Sequence, residues 1–464
     1  MLKTTTYSPG VQAYIRKGEE MVAALEKHRA KMRRKKFSTI AVHGMYGAQA
    51  ALDNQGSIIE PAYLSSAQHF ENSDHLEAAL AYLMPGWVYS RIANPTLFYL
   101  ESTLALLESY GFDGEVSACV TASGMAAVFM ATNPFLMIGE TIPGVNIVAS
   151  ARCYGGTFML FAERYGVERG VDVRWVADPL DLDEWESRID ACTRFVYAEM
   201  PSNPSLSVFD IAAVAELAHA HNIPLIVDST VATPALMRPF LHGADIVIHS
   251  VTKSMTSSGF GIGGALIARH HITSHFGSDA MRENFAAYVK LLPGRDYGAA
   301  LSPFNALMTL NDLRTLRSKM DILSQTAQQV AEFLQAHPNV DRVIYPGLPD
   351  TPEHEIARRY MYLVDSADDY GQPVNRYGHL LAFEVRDGAQ AARDVFDRFD
   401  LILRATDLGR IKSVATIPAI STHQQQGDEG RDLAGIALNL IRLNVGAEHP
   451  DDIIADLDQA LRAV

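Results

Sequence analysis

The sequence predicts an α/β protein: a mostly parallel seven-stranded sheet in a large domain, followed by a smaller C-terminal α/β domain. Three observations carry this. Seven short apolar runs alternate with helix-like stretches between residues 116 and 268, the signature of a sheet covered by helices on both faces. The pattern changes after Ser302-Pro303. The 464 residues, 48% hydrophobic and 20% charged, form an ordinary globular composition with enough length for two or three cores, which excludes disorder, collagen and coiled coil.

Residues 1–75 read as an N-terminal arm and extension, with a helical opening segment from Val11 to about Lys36 and then a loop-rich region around His43-Gly44, Pro61 and Ser65-Ser66. Residues 76–298 form the large domain. Its strands are expected at Val116–Val120, Asn146–Ala149, Asp172–Val176, Phe195–Ala198, Leu225–Val227, Ile246–Ile248 and Ala265–Ala268. A helix is expected from Ala212 to His221, stopped near Asn222 and Pro224. Residues 299–464 form the small domain, opening with a long helix through Leu316–Gln335. Asp365–Arg376 and Gln424–Arg431 are expected as surface loops.

The formal charge of −15 repels phosphate backbones and anionic lipid surfaces, so neither nucleic acid nor membrane is an expected partner. The basic stretch Lys27–Lys36 reads as a solvated helix face. The chain has no long apolar window, and MLKTTTYSPGVQ has no apolar signal core. Cys119, Cys153 and Cys192 form an odd set without metal spacing. A cytoplasmic location and no metal are therefore expected.

In such sheets ligands bind beyond the carboxyl ends of the strands. Three features stand there. Lys253, in His249-Ser250-Val251-Thr252-Lys253, follows an apolar strand and is flanked by two hydroxyls. Partial burial lowers the pKa of such a lysine and frees a nucleophilic amine. Asp228 ends the run Ile223–Val227, where a carboxylate can pair with a pyridinium nitrogen. Thr121-Ala122-Ser123-Gly124-Met125 opens a helix after a strand, presenting free amides to an anion. Each alone is what a surface cation, a turn aspartate or a serine cap looks like. In this order they describe a site for pyridoxal phosphate: an anion anchor, a ring-nitrogen partner and a covalent lysine. The run Gly259–Gly264 precedes a strand, not a helix, which excludes a dinucleotide fingerprint.

Longer motifs then become specific. Tyr89-Ser90-Arg91 with Asn94-Pro95-Thr96, Tyr154-Gly155-Gly156-Thr157, Glu199–Pro204 and Ile441–Gly446 make the chain resemble the Cys/Met-metabolism family of pyridoxal-phosphate enzymes over about residues 38–464. The resemblance implies a fold-type-I transferase. It implies that Tyr89 and Arg91 reach a neighbouring subunit's cofactor phosphate, so the assembly is at least a dimer and expected to be a tetramer. It places Ser123, Gly124, Met125, Ser250 and Thr252 on the phosphate, Tyr154 on the ring and at the leaving group, and Asn203 on the ring hydroxyl. Asp228 takes the ring nitrogen, Lys253 the Schiff base, and Arg442 with Ser413 the substrate carboxylate.

Gly261–Gly264, Leu301–Asn305, Leu408-Gly409, Lys412-Ser413 and Pro418–His423 look like the O-acetylhomoserine sulfhydrylase branch. The chain departs from that branch at Ser229, Asp407, Arg410, Ile420 and the run Ser254–Ser258. The resemblance implies γ-replacement on an activated homoserine ester by a sulfur nucleophile, giving homocysteine, methionine or a related amino acid. The alternatives are a methionine- or cystathionine-type γ-lyase, substitution by a non-sulfur nucleophile, or a cofactor-binding protein without turnover.

Overall fold

A computed structural model describes residues 7–136, 144–349 and 351–464; Met1–Thr6 of the N-terminal arm lie outside them. All seven expected strands of the first sheet form: β1 (Val116–Thr121), β2 (Asn146–Ser150), β3 (Asp172–Val176), β4 (Thr193–Glu199), β5 (Leu225–Asp228), β6 (Ile246–His249) and β7 (Gly264–Arg269). Their spatial order is β1-β7-β6-β5-β4-β2-β3. Neighbours from β6 to β3 pair in parallel. β7 runs opposite to both β1 and β6.

The strands are apolar on both faces because helices cover both, and the two-residue repeat sorts the side chains. Val196, Ala198, Leu225, Val227, Val247 and Ile267 enter one core, with the helices Pro95–Glu108 and Ile211–Ala220. Phe195, Tyr197, Ile226, Ile246, Ile248 and Leu266 enter the other, with the helices Gly124–Leu136 and Phe285–Leu291. Phe135, fully buried, stacks on Phe285 at 5.2 Å. Truncating it to alanine would cost about 3–5 kcal/mol through lost burial and the cavity left behind.

The helix Ile211–Ala220 starts where the Asp210 side chain accepts from Ala213 N at 3.1 Å. It stops at Asn222, which takes a positive φ of 54° before Pro224. The opening helix Pro9–Arg33 is capped by Ser8, with Pro9 in the first turn. Its basic end is mostly exposed, but Arg33 folds back to donate to Phe112 O and Gly114 O, both at 2.8 Å.

The second sheet holds β8 (Val340–Ile344), β9 (Leu380–Val385), β10 (Leu403–Arg404), β11 (Val414–Thr416) and β12 (Leu440–Asn444), in the order β10-β11-β12-β9-β8. Ile441 and Leu443 face a core shared with the helices Leu316–Ala336 and Pro450–Leu461. Leu440, Arg442 and Asn444 occupy the opposite face by strand alternation. Asp365–Arg376 lacks regular structure, as expected. Gln424–Arg431 does not remain a loop: a 3-10 turn at Gln424–Gln426 leads into the helix Gly427–Leu433, whose first turn carries Asp428 and Glu429. Those acids complement the helix N-terminus.

Candidate active site

The carboxyl ends of β4, β5 and β6 lie side by side, so the residues following them share one rim. Because β7 is reversed, its first residue, Gly264, is at the same rim, paired with Thr121 at the end of β1. Five segments distant in sequence therefore converge there.

Gly124 opens the helix Gly124–Leu136, whose first-turn amides lack acceptors in their own helix. Ser123 Oγ accepts from Ala126 N at 3.1 Å, leaving the amides of Gly124 and Met125 to an outside anion. A Cβ on Gly124 would lie 2.6 Å from Ser250 Cβ, so only glycine lets these segments meet. The cradle fits a phosphate. Thr252 stands beside it but is engaged otherwise: its hydroxyl donates to Gly263 O and accepts from Gly263 N, both at 3.0 Å.

Thr230 N and Oγ1 both donate to Asp228 Oδ1, at 2.9 and 2.5 Å, and fix that oxygen. Burial raises the Asp228 carboxyl above its ordinary range, and the Thr230 bonds oppose this. Glu199, buried beside it, is pushed well up by burial and by the Asp228 charge. Glu199 Oε1 accepts from the Tyr154 backbone N–H at 2.8 Å and so sets the start of the helix Gly155–Met159. Sequence reasoning quoted Glu199 without giving it this part. The Tyr154 ring remains 39% exposed, edge-on to His423 at 6.5 Å, and so is open to a ligand.

Arg442 projects from β12 and is fully buried. It donates to Asn203 Oδ1 at 2.9 Å and to the Asp407 carbonyl at 2.7 Å, while its Nε has no partner among the described residues. Burial lowers the guanidinium to about 10, still a cation at neutral pH. A buried cation with an unused donor is built to receive an anion. Ser413 is not aimed there: its hydroxyl donates to Glu448 at 2.9 Å and accepts from Gly446 N at 2.9 Å.

Lys253 follows β6, and its Nζ donates to Asp407 Oδ1 at 2.8 Å. Burial lowers the amine below the usual lysine value, and Asp407 opposes that shift. Tyr89 and Arg91 stand apart, near the start of the large domain. The Arg91 guanidinium lies 5.5 Å from the Tyr89 ring centroid and donates to the Arg295 carbonyl. A wide cavity of about 1710 Å³ lies between the helix Pro9–Arg33 and the segment around Met84–Trp87, and none of the rim residues lines it. No group of side chains suited to a metal ion, and no helix long and apolar enough to cross a membrane, occurs among the described residues.

Residues 38–462 match the family of Cys/Met metabolism PLP-dependent enzymes. The chain belongs to this family. An L-methionine gamma-lyase from Pseudomonas deceptionensis is 36% identical over 92% of this chain and 98% of its own. An O-acetyl-L-homoserine sulfhydrylase from Corynebacterium glutamicum is 34% identical over 92% of this chain and 97% of its own. Among solved structures, an O-acetylhomoserine (thiol)-lyase from Campylobacter jejuni aligns with a TM-score of 0.81 and 34% identity, over 92% of this chain and 100% of its own. That structure carries N'-pyridoxyl-lysine-5'-monophosphate. The fold is accordingly fold-type I, the cofactor is pyridoxal 5'-phosphate, and the family chemistry is γ-replacement or γ-elimination in sulfur amino-acid metabolism.

Proposed function

We propose that the chain catalyses γ-replacement on an activated homoserine ester, O-acetylhomoserine being the type substrate, with a sulfur nucleophile such as sulfide or methanethiol. The observation that carries the reading is the convergence on one rim of a buried arginine with an unused donor, an amine of lowered basicity and a half-buried strand-end carboxyl.

Bound pyridoxal phosphate supplies an electron sink that stabilises negative charge at Cα of the attached amino acid. The amides of Gly124 and Met125, with Ser123 and Ser250, hold its phosphate. Asp228, seated by Thr230, keeps the proton on the ring nitrogen, and Asn203 meets the ring hydroxyl. Lys253 would hold the aldehyde carbon through its Nζ, and in its free, neutral form that nitrogen would be the general base for the Cα proton and, once it has passed that proton on, for a Cβ proton. Arg442 receives the α-carboxylate and orients the Cα–H bond. The Tyr154 hydroxyl delivers a proton to the departing ester oxygen. Tyr89 and Arg91, exposed near the start of the large domain, serve the phosphate of a second copy, which makes the working unit a dimer and, in the tetramer usual for the family, a pair of dimers.

The relatives support a second reading, γ-elimination, because an L-methionine gamma-lyase is as similar as the sulfhydrylase. Incubation with O-acetylhomoserine, with and without thiol, separates the two by mass spectrometry. A replacement enzyme forms homocysteine or methionine and depends on the thiol. Release of 2-oxobutanoate and ammonia at the same rate without thiol overturns replacement in favour of elimination. Borohydride reduction followed by peptide mapping tests the tether, and a pyridoxyl group on any lysine but Lys253 overturns it.

A further inference from the structure

Asp407 and Arg410 depart from the neutral loop of the sulfhydrylase branch; the structure puts Asp407 on the lysine and Arg410 on Asp407 and on the backbone around the lysine. Asp407 Oδ1 accepts from Lys253 Nζ at 2.8 Å, and Oδ2 accepts from Arg410 Nε at 2.5 Å. Arg410 Nη1 also donates to the carbonyls of Thr252 and Thr256, both at 2.8 Å, on either side of Lys253. Asn444 fixes the same loop, accepting from Gly409 N at 2.7 Å and donating to Lys412 O at 3.0 Å. A carboxylate from the small sheet is thus locked at one distance from an amine of the large one.

We propose that Asp407, pinned by Arg410, is a positioning residue that holds the Lys253 ammonium formed once the freed amine has taken the Cα proton. The inference rests on the reading of Lys253 as tether and base. A base that removes a Cα proton must keep that proton close, and an ammonium against a fixed carboxylate does so. The charged groups acting on Nζ are Asp407 and Arg410 from the loop between β10 and β11, and Arg442 from β12. The two arginines disfavour the ammonium, and Asp407 opposes them and burial. Burial works to raise the Asp407 carboxyl, and Lys253 and Arg410 overcome it to hold the group below the usual carboxylate range.

The test is competitive acetylation of the full-length chain, freed of cofactor, by trace acetic anhydride over a pH series, with the Lys253 peptide quantified by mass spectrometry. Asp407→Asn should move the Lys253 titration down by about 1–3 pH units, so acetylation at neutral pH rises roughly tenfold or more. Asp407→Glu should restore the original curve, which a loop-packing role would not require. Asp407→Ser gives the same reading should the asparagine variant fail to fold. An unmoved curve in a folded asparagine or serine variant overturns the proposal, as does a glutamate variant shifted as far as asparagine. Borohydride mapping of the same preparations keeps the readings apart. Cofactor fixed on Lys253 with an unmoved curve removes only this inference, and cofactor fixed elsewhere removes the tether assignment.

Discussion

Arg442, in the middle of a strand of the small sheet, donates to Asn203 Oδ1 at 2.9 Å in the loop that follows β4 of the large sheet. The pair joins the two sheets through a side chain that is 1% exposed. Under the proposed function it would also set where the substrate carboxylate sits.

Arg442→Lys keeps the charge and loses the fork. The loss of one or two charge-assisted hydrogen bonds costs about 1.5–3 kcal/mol, a rise in apparent KM of roughly 10- to 150-fold. Cofactor content should not change. Steady-state kinetics with O-acetylhomoserine checks this, and unchanged saturation removes the assignment.

Lys253→Ala should bind the vitamin without giving the visible absorbance of a lysine-bound pyridoxal. A persisting band after gel filtration would locate the tether on another residue.

Gly124→Ala places a methyl group 2.6 Å from Ser250 Cβ, so the helix start and the lysine strand must part. Cofactor affinity should fall by tenfold or more, since removing one good phosphate contact of 1.4 kcal/mol already amounts to about that factor. Equilibrium dialysis of the variant measures it.

Gly409 has φ +74°, and a Cβ there would meet Ser254 N at 2.4 Å and the Lys253 carbonyl carbon at 2.7 Å. Gly409→Ala therefore carries both left-handed strain, about 1 kcal/mol or more, and a backbone clash. Its denaturant midpoint should fall, and its Lys253–Asp407 pair should loosen in the acetylation assay.

Burial lowers the imidazoles of His379 and His423 from 6.5 to about 4. Each stays neutral in the folded chain where the unfolded chain is already protonated. Their contribution is complete above pH 6.5 and is lost as pH falls from there towards 4, at about 1.4 kcal/mol per unit for each group. Urea midpoints over this interval should fall with pH, and His379→Gln should flatten the slope by one group's share.

The large sheet was readable because each strand is a short apolar run between breakers. Only edges moved: His249 joins β6 by pairing with Ala265, a cross-strand fact that no local pattern contains. Asp228 and Lys253 were visible because strand-end positions have a topological meaning. The partners of Thr252 and Ser413 were not, since a hydroxyl's direction follows from the local turn and not from the residue type. Asp407 could be singled out as unusual, but its contact with Lys253 spans 154 positions and arises only when the two sheets meet. The helix Gly427–Leu433 had a signal in Asp428 and Glu429 that a loop reading of a polar stretch passes over.

The reversal of β7 bears on the proposed tether. A parallel successor to β6 would have needed a long crossover, leaving the segment after His249 to wander across a face before returning. Here both feet of the lysine excursion are stitched into adjacent ladders, His249 opposite Ala265 and Gly264 opposite Thr121. The proposed covalent anchor therefore hangs in a noose closed at its base, whose reach is set by the number of residues between those feet. Lengthening it by insertion would blur the aim of the amine while leaving both paired feet in their ladders.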